Sequence, residues 1–299
     1  MTSLFPIPTP QSSVVMQRTQ GGGRLSVKLS VGQSRIDRLY QEGSARIRVP
    51  RVPPGSPLEA VLINTAGGLT GGDRMDWTFE AGEGASMVLA TQACEKTYKA
   101  HGASEARVSV RLKLNPSSSL AWLPQETILF DRARLTRSIE VEMAAGSRLL
   151  MVEPLVFGRL AMKEAVTEGM FRDRWRIRLD GRLLHAEDMR LGPDIANALE
   201  RRAVASGGLA MATVLMVAPD AEASMTAARS LIGQSGGVSF VSARRPGNRP
   251  GSRPGTGLPE TGKLLARIVA SDSYELRKVL VPLIRLLNPS GGVPKVWSI

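Results

Sequence analysis

The sequence has very few of the side chains that hold metals or crosslink a chain. Among 299 residues it contains one cysteine, Cys94, and two histidines, His101 and His185. A single cysteine cannot form an internal disulfide or a cysteine metal cluster. Two histidines exclude a triad of imidazole ligands, and the HExxH motif is absent. We therefore expect no metal site built from sulfur and imidazole ligands within one chain.

Long apolar runs are also scarce. The longest strongly apolar run, residues 209–218, has ten residues, which is too short to span a bilayer. The first ten residues contain three prolines, and no basic residue precedes Arg18. A signal peptide has a basic segment followed by an apolar one, and neither is present. The sequence thus predicts no membrane partner and a reduced, cytoplasmic location.

Aromatic residues make up only 4% of the chain, whereas basic residues are in excess. Lys and Arg total 39 against 27 Asp and Glu, so the formal net charge is +12. Such a charge favours nucleic acid or acidic proteins as partners. Because few aromatic side chains are available to stack on bases, we expect no nucleic-acid partner. An acidic protein partner fits the positive charge. Residues 244–257 carry four arginines among prolines and glycines, which predicts a disordered surface insertion.

Glycine and proline are plentiful, with 30 and 19 residues. This favours a turn-rich fold of many short strands over a helical bundle. We interpret residues 1–23 as a flexible lead-in and residues 24–299 as a single domain. Asp180-Gly181 is typical of a two-residue hairpin turn. Apolar and polar residues alternate, as in half-buried strands, at 24–31, 46–49, 60–63, 77–79, 86–90, 108–114, 139–143, 148–152, 174–179, 182–185 and 264–270.

Helical periodicity is confined to the C-terminal third. Residues 221–232 place an apolar face at helical spacing, and Gly233 suits the C-terminal cap. Residues 273–287 form the clearest pattern, and Asp272 with Glu275 resembles a capping box. The apolar stripe of this second helix consists of Leu276, Leu280, Leu283 and Leu287.

Two glycine motifs need interpretation. Residues 67–73 have the glycine spacing of a phosphate loop, but Asp73-Arg74 replaces its Lys-Ser or Lys-Thr, and a carboxylate repels phosphate. Either the turn lets two backbones pack closely, or it positions the Asp73 carboxylate. Residues 233–237 match G-x-S-x-G. A helix is expected before them, a strand after them, and no histidine follows, which excludes a serine hydrolase of that type.

Several longer motifs occur in a characteristic order along the chain. They are the segments 64–74 (NTAGGLTGGDR), 91–96 (TQACEK), 122–130 (WLPQETILF), 158–162 (GRLAM) and 294–297 (PKVW). With these motifs the sequence resembles the UreD family of urease accessory proteins, called UreH in some bacteria. The resemblance extends from about residue 17 to residue 297, nearly the whole chain.

The resemblance implies a fold and a set of partners. The fold is mainly β, a two-layer β-helical or sandwich-like arrangement with two α-helices near the C-terminus, which agrees with the patterns above. Family members are not enzymes. They form a complex with a UreF-type helical adaptor and a UreG-type GTPase that carries nickel, and the complex docks on the urease apoprotein. The late helices are implied as adaptor contacts, so we expect Leu276, Leu280, Leu283 and Leu287 to bind a partner.

The resemblance also implies an internal, water-filled passage for nickel. By motif position, Asp73, Glu95, Glu153 and Glu187 match its polar residues. Carboxylates are hard ligands that hold nickel weakly, which suits a metal in transit and no tightly bound cofactor. Three alternatives stay open: these acids form structural salt bridges, the protein is a scaffold without a metal role, or it is a basic nucleic-acid-binding β protein.

Overall fold

The computed structural model describes residues 18–159, 164–242 and 261–298, and β-strands dominate these ranges. The described residues form seventeen strands and three α-helices. The strands are β1 (Gln20–Ser30), β2 (Gln33–Gly43), β3 (Ala45–Arg48), β4 (Leu58–Asn64), β5 (Arg74–Ala81), β6 (Ser86–Thr91), β7 (Glu95–Thr97), β8 (Ala106–Leu114), β9 (Ser119–Leu123), β10 (Thr127–Leu129), β11 (Arg134–Met143), β12 (Arg148–Phe157), β13 (Met170–Leu179), β14 (Arg182–Leu191), β15 (Ala210–Ala218), β16 (Gly236–Ser242) and β17 (Gly262–Ala270). The helices are α1 (Ile195–Glu200), α2 (Met225–Ile232) and α3 (Ser273–Leu287).

The strands form two layers, and the chain winds between them. Sheet A has the order β14-β13-β11-β8-β5-β1-β2, and sheet B has the order β16-β17-β15-β12-β9-β6-β4-β3. From β4 to β13 the long strands enter the two sheets alternately, and neighbours β5, β8, β11 and β13 are parallel. The short strand β10 pairs in parallel with β12 and with β7, so these two short strands form a third, smaller side of the β-helical winding. The fold is therefore mainly β, two-layered and β-helical, as expected.

The alternation of apolar residues creates the core between the sheets. Phe79, Leu112, Val141 and Ile177 are aligned on four neighbouring strands of sheet A, and each is almost completely buried. Each turn of the β-helical winding places one strand in sheet A, and that strand contributes one inward side chain to the row. The sequence shows no repeat because any apolar side chain of suitable size fills such a position.

Three local predictions are confirmed. Asp180 and Gly181 both have positive φ angles, 50° and 74°, in the β13–β14 hairpin turn. The Asp272 carboxylate accepts a hydrogen bond from the Glu275 backbone N–H at 2.9 Å and caps α3. Residues 233–237 follow α2 and lead into β16, which is the reverse of the order that a nucleophile elbow requires.

The leucine stripe of α3 faces inward. Leu276, Leu280 and Leu283 are 0% exposed and Leu287 is 3% exposed, because α3 packs on the apolar outer face of sheet B. This corrects the expectation that the four leucines bind a partner. The apolar stripe of α3 covers the apolar face of sheet B in the same chain. The exposed side of α3 carries Tyr274, Lys278 and Arg285. No helix in the described ranges is both long and apolar enough to cross a membrane.

The glycine run expected in the flexible lead-in belongs to a strand. β1 begins at Gln20 and pairs with β5. A Cβ on Gly23 would lie 2.3 Å from the Trp77 ring, and one on Gly21 would lie 2.7 Å from the Met75 sulfur. The glycines are thus required for close packing rather than for flexibility. Residues 1–17, and the insertion predicted at 244–257, lie outside the described residues.

Replacing Leu283 by Ala tests the inward packing of α3. The substitution removes a fully buried side chain and should lower the free energy of unfolding by about 2–5 kcal/mol. Arg285→Ala, on the exposed side of the same helix, is the matched control and should change it by less than about 0.5 kcal/mol. Urea unfolding followed by circular dichroism measures both values. Equal effects would contradict the inward orientation.

Candidate functional site

The glycine-rich segment 67–73 is a tightly packed loop before β5. A Cβ on Gly68 would lie 2.8 Å from the Lys96 carbonyl oxygen, and one on Gly71 would lie 2.5 Å from the Ser104 carbonyl oxygen. Both glycines therefore permit close approach of two backbones. A strand follows the loop, so no helix N-terminus is available for phosphate.

The same loop also positions the Asp73 carboxylate. Oδ2 accepts a hydrogen bond from the Thr70 N–H at 2.7 Å, and Oδ1 accepts one from the Thr19 N–H at 2.8 Å. Asp73 is 4% exposed. Both interpretations left open by the sequence thus hold, because the carboxylate stabilises the turn that allows the packing.

Glu95 lies close to Asp73, at the start of β7. Its two carboxylate oxygens accept hydrogen bonds from the Asn64 side-chain amide at 3.2 and 3.3 Å. Within the described ranges no basic side chain forms an ion pair with Glu95. Burial, together with the nearby Asp73 charge, raises the pKa of Glu95 to about 7. Near neutral pH this carboxyl therefore changes its protonation readily.

Glu153 crosses the space between the sheets. Located on β12 of sheet B, it pairs with Arg137 of β11 in sheet A and accepts a hydrogen bond from Trp122 Nε1 at 2.7 Å. Arg137 also contacts Asp173 on β13 through two hydrogen bonds of 3.0 and 2.6 Å. All three charged side chains are buried. Burial holds the pKa of Glu153 above its usual range, against the attraction of Arg137.

The Glu187 side chain connects the two sheets near the edge formed by β14 in sheet A and by β16 and β17 in sheet B. It lies on β14 and accepts a hydrogen bond from Arg267 of β17 at 2.5 Å. His185 Nε2 lies 3.9 Å from the same carboxylate, and His185 Nδ1 lies 3.4 Å from Lys263 Nζ. Burial and the adjacent cations lower the pKa of His185 to about 4, so the imidazole is neutral at pH 7.

The four predicted carboxylates thus occupy three places. Asp73 and Glu95 lie together, whereas Glu153 and Glu187 each have a separate arginine partner. Among the described residues, no three His, Cys, Asp or Glu side chains converge as a metal site. Sequence reasoning did not select Arg137, Asp173 or Arg267. A signal existed for Asp173, since it occupies a buried position in the alternation of β13.

Two of the ordered motifs meet at the C-terminus. Arg277 of α3 donates hydrogen bonds to both Glu126 oxygens at 2.6 and 2.7 Å. Gln125 Nε2 donates to the Val296 carbonyl at 3.0 Å, and Trp297 Nε1 donates to the Leu123 carbonyl at 2.9 Å. The segment 122–130 therefore anchors both α3 and the chain end on sheet B.

Cys94 is a partly buried thiol beside this anchor. Its sulfur lies 3.3 Å from Glu126 Oε2. Burial and the Glu126 charge raise the pKa of the Cys94 thiol to about 11, so the reactive thiolate is rare at pH 7.

Comparison with known proteins assigns the family. The model of the family described as UreD urease accessory protein matches residues 19–298. The chain belongs to the UreD family. It is 50% identical to "Urease accessory protein UreD 1" of Brucella melitensis biotype 1, over 96% of this chain and 97% of the relative. UreD of Mesorhizobium japonicum is 50% identical over 97% and 98%, and UreD 1 of Brucella anthropi is 52% identical over 94% and 95%.

The raised pKa of Glu95 predicts how pH affects the stability of this UreD family member. Well below pH 4.5 the carboxyl is protonated in both the folded and unfolded states. As pH rises towards 7, the unfolded chain releases this proton first, so Glu95 progressively destabilises the fold. Glu95→Gln keeps an oxygen acceptor for Asn64 but removes the titration. Its melting temperature relative to the unsubstituted protein should therefore rise by a few degrees between pH 5 and pH 8.

Differential scanning calorimetry at both pH values measures this difference. Glu83→Gln serves as the control, because Glu83 is exposed and forms no ion pair within the described residues. A constant offset between Glu95→Gln and the unsubstituted protein at the two pH values would show that Glu95 does not titrate in this range.

Proposed function

We propose that this protein is a non-catalytic maturation factor for urease that acts in the cytoplasm. It assembles with a UreF-type helical adaptor and a UreG-type GTPase, and the complex docks on the urease apoprotein. Nickel crosses the protein as cargo and is not retained. Membership of the UreD family supports the urease role, and the chemistry of the buried carboxylates supports the transit of a cation.

The environment of Glu95 is the observation that carries the nickel proposal. A half-buried carboxyl with a pKa of about 7 lies near a second carboxylate, and it accepts hydrogen bonds from the Asn64 side chain and the Lys96 backbone, both of them neutral. An arriving divalent cation replaces the Glu95 proton and gains two hard oxygen ligands, Asp73 and Glu95. Such ligands hold nickel weakly, so the ion can leave again.

Glu153 and Glu187 serve the passage differently. Each is neutralised by an arginine that bridges the two sheets. A cation reaches either carboxylate only after Arg137 or Arg267 moves away. We therefore propose that nickel contacts Asp73 and Glu95 directly, and that the two arginine-paired carboxylates respond to rearrangement of the sheets within the complex.

A scaffold without a metal role is the second candidate. The ion pair of Glu153 with Arg137 favours it, because removing one partner of a buried pair destabilises a protein by about 3–5 kcal/mol without any metal being involved. On this alternative, every effect of these residues on urease follows from loss of fold or assembly.

Glu95→Gln separates the two candidates. The variant retains the hydrogen bond from Asn64 and loses the negative charge, so we expect a normal yield of the accessory complex and a lower nickel content in the urease that it matures. Glu83→Gln, with an equal loss of charge at the surface, should mature urease normally. The readouts are complex yield, urease nickel by atomic absorption, and urease activity.

Glu153→Gln and Glu187→Gln provide the comparison. If nickel loading falls only in proportion to complex yield in all three variants, the protein is a scaffold. If Glu95→Gln assembles normally and also loads normally, nickel does not pass by this carboxylate.

A further inference from the structure

One strand of sheet A carries arginine at every outward position of its central part. Along β13, Arg172, Arg174, Arg176 and Arg178 alternate with buried residues. Side chains two residues apart on a strand are separated by about 6.6 Å. The four guanidinium groups thus form a straight row on the outer face of sheet A, on the opposite side of the molecule from α2 and α3.

Neighbouring strands extend this row into a basic face. We define the basic face as the outward positions of β8, β11, β13 and β14. These positions hold nine cations and three carboxylates. The cations are Arg107, Arg111, Lys113, Arg134, Arg172, Arg174, Arg176, Arg178 and Arg190, and the carboxylates are Glu140, Glu142 and Asp188.

Part of this charge is already neutralised within the chain. Arg172 and Arg190 share Asp188, and Arg178 lies 3.6 Å from Glu142. Arg111 and Arg174 form no ion pair among the described residues. In the strand register Arg111 lies opposite Glu140 and Arg174 lies opposite Asp188, but neither arginine forms a salt bridge with that carboxylate. A surface that keeps them gains by meeting negative charge from outside.

The chemistry of the basic face favours carboxylates as ligands. Eight of its nine cations are arginines, whose planar guanidinium binds a carboxylate or phosphate through two hydrogen bonds. The outward positions include no aromatic residue on which a base could stack. Glu140 and Asp188, interspersed among the arginines, repel a continuous phosphate backbone. A protein surface can place a basic group opposite each of them.

We propose that the basic face of sheet A docks an acidic protein surface whose carboxylates repeat at the spacing of β13. A helix with Asp or Glu at every fourth position meets this requirement, because four residues rise about 6 Å. The place of that partner in the urease assembly rests on the function proposed above. The docking is electrostatic, so it weakens as salt is added.

Charge reversal at Arg111 and Arg174 tests the proposal. Arg111→Glu/Arg174→Glu should bind fluorescent poly-L-glutamate about tenfold more weakly than the unsubstituted protein at low salt, and the difference should vanish at high salt. The matched control is Arg48→Glu/Arg51→Glu, which reverses two exposed arginines beside sheet B and should bind normally. Arg111→Gln/Arg174→Gln replaces the first variant if that variant fails to fold by circular dichroism.

Three results would overturn the proposal. Equal poly-L-glutamate binding by both double variants removes the basic face from the interaction. Tighter binding of oligothymidylate than of poly-L-glutamate, lost in Arg111→Glu/Arg174→Glu, identifies a nucleic-acid surface instead. Normal co-purification of that variant with the adaptor, GTPase and urease apoprotein shows that the face has no role in assembly.

The proposed function fails in a different way. If the unsubstituted protein binds poly-L-glutamate through the basic face but never assembles with the urease components, the urease role is wrong. The docking of an acidic protein then stands, and its partner lies outside that assembly.

Discussion

The structure depends on burying one face of the long central strands of each sheet against the opposite sheet. Phe79, Leu112, Val141 and Ile177 form a continuous row because parallel neighbours keep their inward residues in register. A slip of one residue in any of these strands would turn polar side chains into the core. The two-layer arrangement follows from this alternation.

Polar groups inside such a core need partners, and the fold supplies them across the sheets. Arg137 and Asp173 pair within sheet A, and the Glu153 carboxylate of sheet B reaches Arg137 only when both sheets are assembled. Burial of these charges is costly unless they are paired.

The two outer faces of the molecule differ in chemistry. The outer face of sheet B is apolar and is covered by α2, α3 and Trp297 of the same chain. The outer face of sheet A is dominated by arginine along β13 and faces solvent. One face thus completes the fold through the hydrophobic effect, whereas the other presents charge that the fold itself does not neutralise.

The sequence by itself determined the strands with clear alternation, the hairpin at Asp180-Gly181 and the Asp272 cap of α3. These features are local, because the spacing of a few residues decides them. The exposed strand β2 and the short strand β7 lack a clear alternation, so they could not be predicted. Only the tertiary structure decided that the α3 leucines face the chain's own sheet and that Arg137 meets Glu153. Periodicity specifies which face is apolar and which residues share it, but the surface that covers that face comes from residues distant in the sequence.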